Sequence, residues 1–223
     1  MTTIGLVGGT GDLGTALAVH LSKTYDVILG SRSEGKAKTA VADIIKEKGN
    51  RDYFQSHLKP ADNQTAVRDS DIVFLTVPYD NAFETIQNLS TLLRSNQILI
   101  STAASVSKSG EDFVPDFPET GKSVSEKIFD LLGGRVEVAA AFQTVPANRL
   151  YKEAQLSSDV LIAASNNEAY QRVADVVKTI EGLRPLYAGS LTVSAEVERL
   201  TSLLLNLAKR NGLKSPSIKI SSF

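Results

Sequence analysis

Cysteine is absent from the 223 residues. That excludes disulfides and thiolate metal sites, and it suits a reducing compartment without requiring one. Histidine occurs only at His20, in an apolar helical stretch, and His57, in a connector. Both are read as structural or solvated rather than catalytic, and no metal site is expected. Neither sign of charge is in excess: 24 Lys and Arg stand against 25 Asp and Glu, a formal net charge of −1. Nothing in that balance draws the chain to nucleic acid or to an anionic membrane. Long apolar runs are missing as well. The longest, around Leu203, is broken by Asn206 and Lys209, far short of the roughly 20 apolar residues of a membrane span. The N-terminus enters a strand directly, with no basic segment or apolar core of a secretory leader. There is no internal repeat and no low-complexity segment. A soluble cytoplasmic protein is expected, with 42% hydrophobic residues supplying a substantial core.

What is present is concentrated at the start. Ile4-Gly5-Leu6-Val7 is a short apolar run, followed by Gly8-Gly9-Thr10-Gly11-Asp12-Leu13-Gly14 and an amphipathic stretch over 15–23. This reads as strand, tight turn and helix. Gly9, Gly11 and Gly14 have the spacing of a dinucleotide fingerprint: one glycine turns the chain, one lets backbone amides reach a pyrophosphate, and one lets helix and strand pack closely. The helix N-terminus then faces the phosphates. A second strand, 26–32, ends in Ser31-Arg32. At this place an NAD site carries Asp or Glu for the ribose 2′-hydroxyl. A hydroxyl and a guanidinium suit a 2′-phosphate instead, and Lys36 adds a further cation, so NADP is expected over NAD.

Further along, 34–48 reads as a charged surface helix and 51–60 as a connector or short strand. Residues 71–78 are an apolar run, expected to be the fourth strand and the first across the switch point of a parallel sheet. Its end carries Val77, Pro78 and Tyr79, the last a flat face for a cofactor or a packing aromatic. A helix over 81–94 and a strand over 97–101 follow. Residues 102–121 then form a long loop of small and polar residues, with 110–121 read as a surface insertion. Ser123 and Glu126 are spaced as a capping box for a helix over 123–132, and 136–142 is a sixth strand. In the final third, a helix over 167–181 lies between short strands at 160–164 and 186–187, with 182–185 as a turn. A last amphipathic helix over 195–210 carries Val197, Leu200, Leu203, Leu204 and Leu207 on one stripe. Leu205 lies off the stripe, which suggests burial from a second side, and 217–220 reads as an edge strand.

The glycine turn, Gly30-Ser31-Arg32, Thr76-Val77-Pro78-Tyr79, Gln143-Thr144-Val145-Pro146-Ala147 and Gly182-Leu183-Arg184-Pro185-Leu186 together resemble the coenzyme F420-dependent NADP oxidoreductases over nearly the whole chain. The resemblance implies an α/β fold: an N-terminal Rossmann domain with a doubly wound parallel sheet over 1–147, and a small C-terminal α+β domain over 148–223. It implies reversible hydride transfer between NADPH and the 5-deazaflavin coenzyme F420, in a homodimer. Nucleotide contacts carry over onto Thr10, Gly11, Asp12, Leu13, Ser31, Arg32 and Lys36, with further matches at Asn81, Ala104 and Ala147. Val145 is expected to press the two rings together. The chain departs from the family pattern at Tyr79, where relatives carry Trp, at Ala103-Ala104-Ser105, where they carry Leu-Val-Pro, and at Gln143, where they carry His. An amide does not titrate near neutrality, so Gln143 is expected to orient a ring and no obligatory acid or base is named. The competing readings are an NADP-binding sensor or scaffold without turnover, and an NADPH reductase of a flavin or metal complex.

Overall fold

A computed structural model of the chain describes residues 2–117, 121–152 and 156–221. Its elements in order are β1 (Thr3–Val7), α1 (Asp12–Leu21), β2 (Asp26–Ser31), α2 (Glu34–Lys48), α3 (Arg51–His57), β3 (Leu58–Asp62), α4 (Asn63–Arg68), β4 (Ile72–Leu75) and α5 (Tyr79–Leu89). They continue as β5 (Ile98–Ser101), β6 (Val106–Ser109), β7 (Asp112–Pro115), α6 (Val124–Leu131), β8 (Glu137–Ala140), α7 (Ala147–Tyr151), β9 (Ser158–Ala164), α8 (Asn167–Lys178), β10 (Leu183–Ser190) and α9 (Ser194–Asn211).

Eight strands form one sheet in the order β10-β9-β8-β5-β4-β1-β2-β3. The six from β3 to β8 are parallel, β9 joins β8 antiparallel, and β10 runs parallel to β9. Strand β4 lies on the far side of β1 from β2, so the order reverses between β1 and β4, as the sequence predicts. Strand residues alternate between two cores. Ile4, Leu6, Ile72, Phe74, Ile98 and Ile100 pack on one face with α1, α2 and α8; Val73, Leu75, Leu99 and Val138 pack on the other with α5 and α6. With both faces covered, the strands read as unbroken apolar runs.

Several boundaries differ from the sequence reading. Residues 51–60 hold helix α3 and the start of β3. Strand β3 borders only β2, and an edge strand tolerates Pro60, which has no N–H to give. Helix α5 starts two residues earlier than expected, straight after Pro78. The expected loop 102–121 contains a hairpin whose turn and second strand fall in the expected insertion 110–121: β6 and β7 pair antiparallel around Gly110-Glu111, with Gly110 left-handed at φ 59°. Part of that insertion, residues 118–120, lies outside the described residues. Residues 183–185, read as a turn, are the first part of β10. The capping box is present in both bonds, Glu126 N–H to Ser123 Oγ and Ser123 N–H to the Glu126 carboxylate, each 2.9 Å.

The stripe expected on α9 is buried only at its start, Val197, with Leu200 and Leu204 half-buried. Leu203, Leu205 and Leu207 are exposed, at 52%, 39% and 41%, while Ser194, Ala195, Val197, Glu198 and Ser202 face inward. Hydroxyls and a carboxyl can be buried there because each has partners, so the polar side of the pattern is the packed one. The C-terminal half of α9 instead grips the hairpin: Phe113 N–H donates to Asn206 Oδ1 at 2.9 Å and Asn206 Nδ2 donates to Phe113 O at 2.7 Å. Lys209 pairs with Glu111 and Arg210 with Asp112.

Residues 217–220 are not assigned as a strand, yet they are tied down. Asp159 N–H donates to Ile218 O at 2.8 Å, and the fully buried Asp159 carboxylate accepts from Arg184 Nε and Nη2, both 2.8 Å, and from Ile220 N–H at 2.6 Å. The Arg184 hydrogen bonds hold the Asp159 carboxyl down at about 2. A carboxyl with a lowered folded value stabilises above its unfolded range and loses that contribution as pH falls towards 2. An Asp159→Ala variant is therefore expected to free the tail. Hydrogen exchange at the Ile220 amide, read by mass spectrometry, speeds up, and the acid limb of the wild-type stability profile between about pH 4 and 2 shrinks.

Candidate functional site

The glycine turn between β1 and α1 forms as its sequence requires. Gly8 adopts φ 75°, a left-handed conformation that glycine reaches without strain. Gly9 N–H donates to Gly30 O at 2.8 Å and Gly11 N–H to Gly8 O at 3.2 Å. At Gly14 the need is space: an added Cβ lies 2.5 Å from Gly9 Cα and 2.6 Å from Gly9 O. Helix and turn can meet this closely only with glycine at position 14.

Beside this turn runs a groove of about 570 Å3 at the carboxyl edge of the sheet. Of the residues singled out from sequence, it brings together Thr10, Gly11, Ser31, Arg32, Lys36, Val77, Pro78 and Asn81. Ser31 is buried at the end of β2, and Arg32 and Lys36 are exposed. Neither cation has a hydrogen bond or ion pair among the described residues. The groove also holds residues the sequence reading passed over: Asp62, Asn63 and Gln64 from the β3–α4 junction, and Glu84, Thr85 and Asn88 from α5. Asp62 caps α4, accepting from Thr65 N–H at 2.7 Å, and that bond lowers its pKa. No local motif marks this junction; only the placement of β3 beside β2 brings it to the groove.

Gly9, Asp12, Leu13 and Gly14 build the turn without lining the groove. Tyr79 lies outside the lining too: half-buried, it meets Phe83 edge-to-face at 6.0 Å. Ala104, Gln143, Val145 and Ala147 follow the carboxyl ends of β5 and β8, further along the same edge.

Those strand ends are closed in series. Thr76 N–H and Oγ1 both donate to Val7 O at 2.9 Å, and Thr102 Oγ1 donates to Leu75 O at 3.0 Å. Gln143 Nε2 donates to Ser101 O at 3.1 Å. Each strand's last carbonyl is thus covered by a side chain just beyond the neighbouring strand. Phe142 reaches this arrangement at φ 71°, a strained conformation for a bulky residue. Val145 is buried in the core cluster with Phe142. Gln143 Oε1 and Ser101 Oγ are buried without a hydrogen-bond partner among the described residues, an uncommon condition in a folded chain.

Helix α9 supports this edge. Thr201 Oγ1 donates to Gln143 O at 3.2 Å. One turn earlier, the fully buried Glu198 carboxyl accepts from Val124 N–H at 3.0 Å, and from Ser125 N–H at 3.3 Å and Oγ at 3.2 Å. Burial pushes this carboxyl up to about 7, against the pull of those donors, and the charge of Glu126 raises it further. A folded value above the unfolded one favours the folded state when the group is protonated. That contribution is complete below about pH 4.5 and is lost as pH rises to about 7, some 3 kcal/mol in all. Melting temperature is therefore expected to fall between pH 5 and 7.5 in the wild type, and Glu198→Gln to lose most of that slope; an equal slope in both contradicts the assignment.

The histidines lie away from the groove. His20 is buried with Nε2 2.9 Å from Leu150 O, and His57 Nδ1 lies 3.1 Å from Asp26 Oδ1. Both are structural contacts. Among the described residues no group of three or more His, Cys, Asp or Glu could hold a metal, and none of their helices is long and apolar enough to cross a membrane.

The parallel sheet reversing at β1 and β4, the glycine turn and the groove beside it define a dinucleotide-binding protein of the Rossmann class. Its relatives are more specific. The sequence profile of the NADP oxidoreductase, coenzyme F420-dependent family matches residues 3–105. The chain is 30% identical to the F420-dependent NADP reductase of Methanocaldococcus jannaschii, covering 98% of both chains. It is 29% identical to that of Methanothermobacter thermautotrophicus, covering 98% of this chain and 94% of the relative. The fold matches a crystal structure of a candidate F420-dependent NADP reductase from Arthrobacter sp. FB24, with TM-score 0.78, 18% identity and full coverage of both chains. The chain belongs to the F420-dependent NADP reductase family.

Proposed function

We infer that the protein is an oxidoreductase that transfers a hydride reversibly between NADPH and coenzyme F420. Full-length kinship with F420-dependent NADP reductases carries this reading. The groove supports its nucleotide half, because β2 runs out into Ser31 and Arg32, with Lys36 in the first turn of α2, rather than into a carboxylate. In this reading the amides of Thr10, Asp12 and Leu13 take the pyrophosphate, with Gly11 shaping the turn beside it through its bond to Gly8 O, over the close contact of Gly9 and Gly14. Ser31, Arg32 and Lys36 take the 2′-phosphate. Val77, Pro78 and Asn81 wall the path towards the nicotinamide, with Tyr79 bracing Phe83 behind them.

Reduced nicotinamide supplies the hydride and the deazaflavin ring accepts it, so the side chains supply position and electrostatics rather than a proton relay. Ala104 and Ala147 leave room for the second ring, Val145 presses against it, and the unpartnered Gln143 Oε1 accepts a hydrogen bond from it. Residues 148–223 complete this second site. They also supply a dimer interface: Leu203 and Leu207, one turn apart on α9, stay exposed in the single chain and are covered by a second copy. The protein works in the cytoplasm.

Mixing the purified protein with NADPH and oxidised coenzyme F420 tests the reading. The deazaflavin's visible absorbance is expected to decay only when protein and NADPH are both present. A protein that binds NADPH but leaves that absorbance unchanged is a sensor or a reductase of another acceptor.

A further inference from the structure

Asn63 stands out among the groove residues that the proposed function leaves without a task. It is the first residue of α4, is 9% exposed and lines the groove. Its Oδ1 accepts from Gly8 N–H at 3.1 Å, across 55 positions of sequence. That oxygen also lies 3.0 Å from where a Cβ on Gly30 would sit. The carboxamide is therefore wedged between the glycine turn and the end of β2, next to buried Ser31. Strand pairing fixes it there, because Ser31 is opposite Asp62, the residue before it.

With its oxygen committed to Gly8, the amide can be oriented only one way, and Nδ2 is left as the free end. Nδ2 makes no hydrogen bond to any described residue. The residue is held in place by its oxygen while its two N–H donors stay open to the groove it lines, where an acceptor on a ligand can reach them. Charge makes this donor matter. The groove carries the cations Arg32 and Lys36 but also the carboxylates of Asp62 and Glu84. Asp62 is turned to Thr65, yet it sits beside Ser31, where an anion of the ligand would come. A neutral donor between them adds a hydrogen bond there without altering the balance of charge.

We propose that Asn63 is a specificity residue for the phosphorylated nucleotide, its carboxamide oxygen fixing the glycine turn and its Nδ2 donating to the ribose 2′-phosphate beside Ser31. This rests on the NADP reading of the groove. It predicts that the two ends of one amide can be separated by substitution. Asn63→Asp keeps an acceptor for Gly8 N–H and adds an acid at the first turn of α4, where it is tolerated, but it replaces the donor with a negative oxygen. Asn63→Ala removes both ends.

Binding of NADPH and of NADH to the intact protein is followed by nicotinamide fluorescence, with thermal melts in the absence of nucleotide. In Asn63→Asp the melt is expected to stay near that of the wild type. Its Kd for NADPH is expected to rise about tenfold to a hundredfold, the scale of a lost hydrogen bond to a charged group, while Kd for NADH changes less than about threefold. Asn63→Ala is expected to weaken both nucleotides, with the greater loss for NADPH. Equal weakening of both by Asn63→Asp overturns the proposal and leaves Asn63 as a support of the turn. Unchanged NADPH binding overturns it as well. A wild-type protein that does not prefer NADPH to NADH overturns the NADP reading itself, before any variant is compared.

Discussion

Replacing Arg32 by Asp is expected to lower kcat/KM for NADPH by about a hundredfold or more, while activity with NADH holds or improves. Arg32 is exposed at the rim of the groove, one residue after buried Ser31, and no acid neutralises it among the described residues. A guanidinium there can form two parallel bonds with a 2′-phosphate. An aspartate exchanges that attraction for repulsion and offers the ribose 2′-hydroxyl the acceptor that NAD-specific sites use. Steady-state kinetics with both nucleotides read the result as a ratio, which cancels general damage to the enzyme. An unchanged ratio moves the 2′-phosphate away from β2.

Gly14→Ala is expected to harm both stability and nucleotide affinity. In an ordinary helix the change gains about 1 kcal/mol. Here the new methyl meets backbone atoms of Gly9 at 2.5 to 2.7 Å, and backbone cannot rotate aside as a flexible side chain can. The helix must move off the turn, at a cost of about 3 kcal/mol. The net loss is about 2 kcal/mol, or roughly 5 °C in melting temperature for a chain of this size. Displacing the turn also misaligns the amides at the start of α1, so Kd for NADPH is expected to rise at least tenfold. Calorimetry and a nucleotide titration on the same sample check both; a variant as stable as the wild type contradicts the close packing.

The parts of this architecture that were legible in the sequence are those whose causes are local. The glycine turn, the covered strands β4 and β5, and the Ser123–Glu126 box each declare themselves within a few residues. The nucleotide-binding half could be placed because its motif lies at a chain crossing common to many such sheets. What escaped depends on distant partners. Strand β3 contains Pro60 and alternates weakly, and only its position against β2 makes it a strand. The hairpin is held by Asn206 and Lys209, more than 90 positions away. The α9 stripe misled because Ser194, Glu198 and Ser202 are buried with partners that no periodicity reveals. Asn63 gave no signal, since its meaning comes from Gly8 and Gly30.

The family membership, the groove and the strand-end geometry converge on one central claim, direct passage of a hydride between two bound ring systems. The most direct measurement uses NADPH carrying deuterium at the transferable C4 position, with oxidised coenzyme F420 in ordinary water. Mass spectrometry of the reduced deazaflavin is expected to find one deuterium retained per molecule, at C5. Reduced deazaflavin carrying only solvent hydrogen, or none formed while NADPH is bound, contradicts it.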